Sequence, residues 1–277
     1  MINQKDIKII TLLSLFILIC TVNGFAQQNF KFPKFIKYAL VNNGRVGGNV
    51  IYTCNNLGKK LGYMLILNNF EGFGHKSNDE WYTFLKPNLK LERSFISKGK
   101  YNKKKQNTFN ELYLKKEISF FGNKNEKGIN EDMVYIFKEN KYSGPQLTEI
   151  ASPYDIIDLL SSFVILSKRV ANDRYDNKNN NIEWFNLFIS STSYLVYMEY
   201  SDEKEILNIG GKQYNTKVMT LKYNIKLDKT KTGKESKTID LFTFYIYNET
   251  GGLCYPVKVK FEDVESNILE FIAKKAF

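Results

Sequence analysis

Hydrophobic and polar positions alternate along much of this chain from residue 35 onward, and the apolar positions are rich in β-branched and aromatic side chains. Clear examples are the segments 46–54, 60–70 and 239–248, which are separated from their neighbours by short clusters of glycine and asparagine. A period of two is typical of half-buried strands, and Gly/Asn clusters are typical of turns. The pattern therefore predicts a mainly β protein whose successive strands are joined by hairpins.

One segment, SPYDIIDLLSSFVILSK at 152–168, follows a helical period instead. Ser152 suits an N-cap, Pro153 suits the first helical position, and Asp155 completes a pair that resembles a capping box. The sequence therefore predicts one helix over about 153–169. Parallel neighbours need a crossover connection, usually a helix, so this count favours an antiparallel meander curled into an open or closed barrel.

The predicted helix has a wide apolar surface, and leaving this surface exposed to water would cost free energy. Ile156, Leu160, Phe163 and Val164 lie on it, and we expect them to cover the concave face of the curled sheet. Two roles are open for such a helix: a permanent plug of the barrel, or a movable lid over a ligand. If it is a lid, these four residues are the candidate ligand-binding residues.

The start of the chain has the organisation of a secretory signal. Lys5 and Lys8 precede an apolar run of 14 residues at 9–22, and Gly24 and Ala26 supply small residues for cleavage. The run is shorter than the roughly 20 residues that span a bilayer. We therefore predict a signal peptide at 1–26, a single β-rich domain at 27–277, and export to the periplasm or cell envelope.

The formal net charge of +11 raises the question of nucleic acid, but the composition argues against it. The chain holds 36 lysines, 30 asparagines and only 4 arginines, whereas sequence-specific nucleic-acid sites favour the bidentate fork of arginine. The densest basic run, KGKYNKKK at 98–105, is predicted to be a solvated loop, with peripheral contact to an anionic membrane surface as the alternative. We expect no nucleic-acid partner.

The sequence offers few candidate residues for catalysis or for binding a metal or cofactor. His75 is the single histidine and lies in a polar turn without a nucleophile motif, and no phosphate-binding loop or dinucleotide fingerprint is present. One histidine and two cysteines of the predicted mature chain, Cys54 and Cys254, do not have the spacing of zinc ligands. The sequence therefore assigns no catalytic residue, no metal site and no cofactor, and it favours a non-enzymatic role.

Cys54 and Cys254 are the more informative pair. In an exported protein, two mature cysteines at opposite ends of the chain predict one disulfide, which would tie an early strand to a late one. The alternative is two buried free thiols.

Two later segments resemble a known family. YDIIDLLSSFVILSKR at 154–169 is similar to the Asp-x-Leu-Ser-aromatic-x-x-basic segment of a bacterial envelope family, domain of unknown function 3108, and FTFYIYNETGGLCYPVKVKFE at 242–262 is similar to its closing strands. The resemblance covers about the C-terminal 130 residues. It implies an exported, β-rich envelope protein, and it brings no established reaction or catalytic residues.

These observations favour a non-enzymatic envelope protein that binds an apolar or amphipathic ligand, such as lipid or lipoprotein. The aromatic content of 15% and the lid-like helix motivate this interpretation, because open barrels can enclose ligand cavities. One alternative is an interaction or assembly protein that docks on an envelope complex through a sheet edge. A further alternative is an outer-membrane β-barrel, suggested by the terminal aromatic Phe277.

Overall fold

The computed structural model describes residues 30–58, 62–72, 75–77, 80–97, 109–115, 132–140, 144–172, 182–189, 192–226, 236–249, 252–263 and 267–276. The predicted signal peptide, the basic run at 98–105 and Phe277 lie outside these residues. The first strands are β1 (Phe35–Asn42), β2 (Arg45–Gly58), β3 (Gly62–Gly72), β4 (His75–Ser77), β5 (Glu80–Leu85), β6 (Leu91–Ser97), β7 (Phe109–Lys115), β8 (Asp132–Asn140), β9 (Gly144–Ser152) and β10 (Asp155–Asp158). The helix α1 (Leu159–Ala171) follows, and then β11 (Glu183–Ile189), β12 (Thr192–Ile209), β13 (Lys212–Lys226), β14 (Ser236–Asn248), β15 (Cys254–Glu262) and β16 (Ile268–Ala276).

The strands form one continuous sheet in the order β10, β11, β12, β13, β14, β15, β16, β1, β2, β3, β5, β6, β7, β8, β9, and β4 pairs with β3. Neighbours in this order are antiparallel except β10 and β11, which are parallel. Twelve strands, from β10 round to β6, curl until β10 contacts β6. The predicted mainly β meander is confirmed as a nearly closed barrel, which β7 to β9 extend beyond the closure.

The closure between β10 and β6 is the seam of the barrel, and two side-chain contacts of β10 lie beside it. On the accessible side, Lys90 Nζ lies 3.6 Å from Asp155 Oδ1. On the buried side, the hydroxyl of Thr83 in β5 donates a hydrogen bond to Asp158 at the end of β10. Both members of the buried contact are almost fully enclosed.

The helix α1 is the crossover between the parallel strands β10 and β11. It contacts β3, β5, β14 and β15 as well as its flanking strands, so it lies inside the barrel. Ten of its thirteen residues are buried. The prediction of a covered apolar helix is confirmed, and the placement is that of a plug.

The predicted start of the helix is wrong. Residues 155–158 form β10, and the N-cap is Asp158 rather than Ser152. Asp158 Oδ1 accepts from Ser161 N at 2.8 Å, and Ser161 Oγ accepts from Asp158 N at 2.8 Å, which completes a capping box. Ser152 instead closes a local turn, where its Oγ accepts from Tyr154 N at 3.2 Å. Pairing of Ile156 and Ile157 with β11 outcompetes the local helix signals.

The core of the barrel is made by the inward residues of the strands and by α1. Phe163 on α1 is 1% exposed, and its ring stacks on that of Tyr52 at 5.1 Å between centroids. The Tyr52 hydroxyl also donates to Leu160 O at 2.9 Å. The buried hydroxyls of Ser162 and Ser167 donate to helix carbonyls at 2.6 and 2.7 Å. The polar side chains of α1 are therefore satisfied within the apolar interior.

Cys54 and Cys254 are both buried free thiols, which corrects the predicted disulfide. A segment of chain lies between them: Cys254 N donates to Lys31 O at 3.0 Å, and Cys54 N donates to Lys34 O at 2.9 Å. Two strand spacings amount to roughly 10 Å, beyond the Cα separation of about 4.4–6.8 Å that a disulfide allows. The Cys254 thiol instead donates to Ser167 O at 3.1 Å.

Candidate functional site

A cavity of about 390 Å³ lies beside the seam, where the turn between β5 and β6, strand β10 and helix α1 meet. Apolar and polar side chains share its wall: Asn88, Leu89, Lys90, Leu91, Asp155, Ile156, Ile157, Ile165, Lys168, Arg169, Asn172 and Phe185. The volume falls toward the lower end of the range for small-molecule pockets, about 300–1,000 Å³. This cavity is the candidate functional site.

The contribution of α1 to the cavity is one stripe of residues. Ile165, Lys168, Arg169 and Asn172 are spaced by three and four, so they lie on the same side of the helix. They are half-buried, in contrast to the other sides of α1, which are enclosed by the barrel. The stripe therefore faces the cavity because it is the part of α1 that the strands leave uncovered.

The turn between β5 and β6 contributes a strained residue. Leu89 has a φ of 66°, in the left-handed region that side chains with a Cβ rarely adopt. The turn is held by Leu89 N donating to Lys86 O at 2.8 Å and by Lys90 N donating to the Asn88 side chain at 3.1 Å. This conformation places Leu89, which is 7% exposed, in the wall of the cavity.

Arg169 is the most constrained cation of the cavity. Its two terminal nitrogens donate to the two carboxylate oxygens of Glu183, and its guanidinium carbon lies 5.3 Å from the centre of the Phe185 ring. Burial raises the pKa of Glu183, and the nearby Arg169 counteracts part of that rise. The remaining nitrogen, Arg169 Nε, is buried and has no hydrogen-bond acceptor among the described residues.

The two lysines of the cavity differ in their partners. Lys90 pairs with Asp155, but the side chains are 44% and 55% exposed, so this pair contributes little to stability. Lys168 belongs to the last turn of α1 and has no ion-pair partner in the part of the chain that the structure describes. The cavity therefore offers one ammonium group that no carboxylate of the described residues balances.

The structure separates the four predicted ligand-binding residues. Ile156 lines the cavity. Leu160, Phe163 and Val164 lie in the closed core, on sides of α1 that face strands. The predicted set did not include Leu89, Ile165, Lys168 or Arg169. Lys168 and Arg169, at the end of a largely apolar segment, were a sequence signal for the helix members of the cavity. Cations near a helix C-terminus stabilise the helix, so this signal favoured a structural role instead.

Acidic, cysteine and histidine side chains do not form a group of three or more that could hold a metal ion among the described residues. His75 falls in the short strand β4. Within the same residues, no helix is both long enough and apolar enough to cross a bilayer.

Comparison with known proteins gives only remote likenesses. No family model and no curated protein matches the chain. Among solved structures, it is similar to a beta-barrel-like protein of domain of unknown function DUF1849 from Brucella abortus, with a TM-score of 0.48 and 9% identity over 90% of this chain and 99% of that one. It is also similar to the hypothetical lipoprotein YmcC from Escherichia coli, with a TM-score of 0.33 and 10% identity over 94% of this chain and 97% of that one. The resemblance to domain of unknown function 3108 stays a prediction.

Proposed function

We propose that the protein is exported to the cell envelope and binds an amphipathic ligand, such as a lipid, in the cavity beside the seam. The observation that carries this proposal is the mixed wall of the cavity, in which six apolar side chains, from the β5–β6 turn and from β6, β10, α1 and β11, meet six polar or charged side chains. Small-molecule sites combine an apolar wall with polar groups that fix the orientation of the ligand. Export is supported by the leader-like pattern of residues 1–26.

The strain at Leu89 also supports a binding role. A left-handed non-glycine residue costs on the order of 1–3 kcal/mol and persists where the surrounding structure requires it, often at ligand sites. Here the conformation supplies part of the apolar wall of the cavity, to which Ile165 also belongs. A turn built only to connect β5 and β6 would not need a buried leucine in this conformation.

The distribution of side chains across the barrel wall favours this role over an outer-membrane barrel. The interior is apolar, whereas side chains on the other face form ion pairs, including Lys258 with Glu270 at 2.8 Å and Lys222 with Glu199 at 2.6 Å. A transmembrane barrel has the reverse arrangement, with an apolar outer band and a polar lumen.

Filling the cavity tests the proposal. Ile165→Trp adds an indole to the stripe that faces the cavity, and Leu195→Trp adds the same group at a position that is 42% exposed and does not line the cavity. The uncharged fluorophore N-phenyl-1-naphthylamine should bind the wild-type protein and Leu195→Trp saturably, at one site per chain. It should bind Ile165→Trp at least tenfold more weakly, which corresponds to about 1.4 kcal/mol.

Native mass spectrometry of the protein from its own envelope gives a second readout, in which a retained small amphiphile is expected. The proposal fails if the fluorophore binds all three proteins alike, or if none of them binds it saturably.

Assembly through a sheet edge is the second candidate, and the position of β9 favours it. β9 ends the sheet, and within the described strands it has a ladder partner on one side only, β8. Successive residues of a strand direct their N–H groups to opposite sides. Of Leu147→Pro and Thr148→Pro, the one that removes a free-edge donor should abolish association with an envelope partner and leave the fold intact. Association that survives both substitutions would exclude this edge.

A further inference from the structure

The polar groups of the cavity have a charge preference that identifies the class of ligand more closely. We infer that the cavity binds a single-chain amphiphile with an anionic oxygen head group, which Lys168 and Arg169 recognise. This inference rests on the proposed function, since it assigns the head group of the ligand proposed there. Three features of the cavity carry it.

The first feature is the free hydrogen-bonding position of Arg169. Glu183 occupies both terminal nitrogens of the guanidinium, which fixes the orientation of the group and leaves Nε buried without a described acceptor. A buried donor without an acceptor is costly, and such groups are rare in native structures. Because Arg169 lines the cavity, we assign the role of acceptor to an oxygen of a bound head group.

The second feature is the balance of charge. The wall holds three cations and one anion, and Asp155 is paired with Lys90 while Glu183 is paired with Arg169. Lys168 remains as the cation without a described partner. A head group with a negative charge would compensate Lys168 and accept from Arg169, whereas a cationic head group would face net repulsion.

Lys168 and Arg169 also lie in the last turn of α1, where cations stabilise the helix C-terminus. This structural role changes stability but does not discriminate between charged and uncharged ligands. The two roles are therefore separable by experiment.

The third feature is the size and shape of the apolar part. Leu89, Leu91 and Ile165 form walls on the turn and the helix, and the whole cavity is about 390 Å³. A volume near the lower end for small-molecule sites suits one alkyl chain of medium length rather than the paired chains of a diacyl lipid.

Three ligands with the same eight-carbon chain test the head group: octanoate, octyl phosphate and uncharged 1-octanol. Titration calorimetry of the protein should give affinities for at least one of the two anions about tenfold higher than for 1-octanol, as one charge-assisted hydrogen bond implies. The stronger of the two anions distinguishes a fatty-acid ligand from a phosphate-bearing one. Lys168→Met keeps the length of the side chain and should weaken anion binding about tenfold while leaving 1-octanol binding unchanged.

Lys274→Met, at an exposed lysine of β16 that does not line the cavity, is the matched control and should leave all three affinities unchanged. Equal affinities for the anions and 1-octanol would overturn the head-group assignment and leave the proposed function standing. Loss of anion and 1-octanol binding together in Lys168→Met would also overturn the assignment. If none of the three ligands displaces N-phenyl-1-naphthylamine from the wild-type protein, the proposed function itself fails.

Discussion

Phe163 connects α1 to four strands of the barrel, because its ring packs against one aromatic ring from each of them. It stacks on Tyr52 of β2, and its edge-to-face partners are Tyr38 of β1, Phe244 of β14 and Phe271 of β16, with centroids 5.6–6.4 Å away. Aromatic pairs of this geometry contribute about 0.5–1.5 kcal/mol each beyond the burial of their area.

Truncation of this ring should therefore be severe. Phe163→Ala should lower the free energy of unfolding by about 3–5 kcal/mol, because strands on several sides prevent collapse of the cavity that it leaves. Phe163→Leu keeps most of the volume and should cost less than about half of that. Urea denaturation followed by circular dichroism measures both. A loss below about 1 kcal/mol for the alanine variant would show that α1 is not a rigid plug.

Gly62 is a second residue whose surroundings leave no space for a larger side chain. Its φ is +81°, and a Cβ at this position would lie 1.9 Å from the carbonyl oxygen of Leu85 in the neighbouring strand. Gly62→Ala should destabilise the protein by more than the roughly 1 kcal/mol of the left-handed conformation alone. Gly211 has the same φ with nothing within 4 Å, so Gly211→Ala measures the conformational cost without the clash. Equal losses of unfolding free energy in the two variants would contradict the close approach.

At the scale of elements, the N-terminus of α1 is the point where helix, strand and seam meet. Asp158 ends β10, caps α1 through Ser161 and accepts from Thr83 of β5. The carboxylate is 4% exposed, so each of its hydrogen bonds replaces contacts that water would have made. One side chain thus fixes the start of the helix and the closure of the barrel together.

Removing this carboxylate should affect both. Asp158→Ala should lower the unfolding free energy by about 2–3 kcal/mol, the sum of a lost N-cap and a lost charge-assisted hydrogen bond from the buried Thr83 hydroxyl, which keeps only a 3.3 Å hydrogen bond to Ser94 Oγ. Asp158→Asn keeps an oxygen that can accept from Ser161 N and should lose less than half as much. Thermal or urea unfolding of both variants decides this, and equal losses would show that the charge rather than the cap is important.

The elements that the sequence predicted well are those whose signals are local. The alternating segments 46–54, 60–70 and 239–248 overlap the strands β2, β3 and β14. The helix start was misplaced because Ser152 and Pro153 resemble a helix start, whereas the β10–β11 pairing that overrides them joins residues about thirty apart in sequence.

The candidate site was less predictable than the strands, because it depends on contacts between segments that are far apart along the chain. Leu89 and Arg169 meet in one cavity although eighty residues separate them, and this proximity depends on the closure of β10 against β6. Ile156 is the one residue of the predicted set that lines the cavity. Its position on β10, rather than on a helix, is what directs it there.

The barrel as a whole holds several titratable groups in its interior. Burial raises the pKa values of the Tyr38 and Tyr52 hydroxyls well above their usual value, and it raises the pKa values of the Cys54 and Cys254 thiols to about 12. In the unfolded chain the thiols ionise near pH 8.5 and the phenols near pH 10. Above those values the unfolded chain loses protons that the folded barrel retains.

These groups should therefore make the free energy of unfolding fall as the pH rises from about 8 toward 12. Each thiol contributes a slope of about 1.4 kcal/mol per pH unit once its unfolded form is ionised. In the double variant Cys54→Ala/Cys254→Ala, the free energy of unfolding should fall less steeply between pH 9 and 10 than in the wild type. Urea denaturation at each pH measures this slope. Superimposable slopes would mean that the thiols already ionise in the folded barrel.

The helical crossover also leads to an expectation about folding. Strands β10 and β11 are joined by α1, which lies inside the barrel, and closure of β10 against β6 would block its entry. We therefore expect the helix and the strands that surround it to associate before the seam forms. The cavity lies beside the seam, the part of the barrel that we expect to assemble last. A ligand bound there would stabilise the closed seam, because binding to the folded state alone adds to its stability.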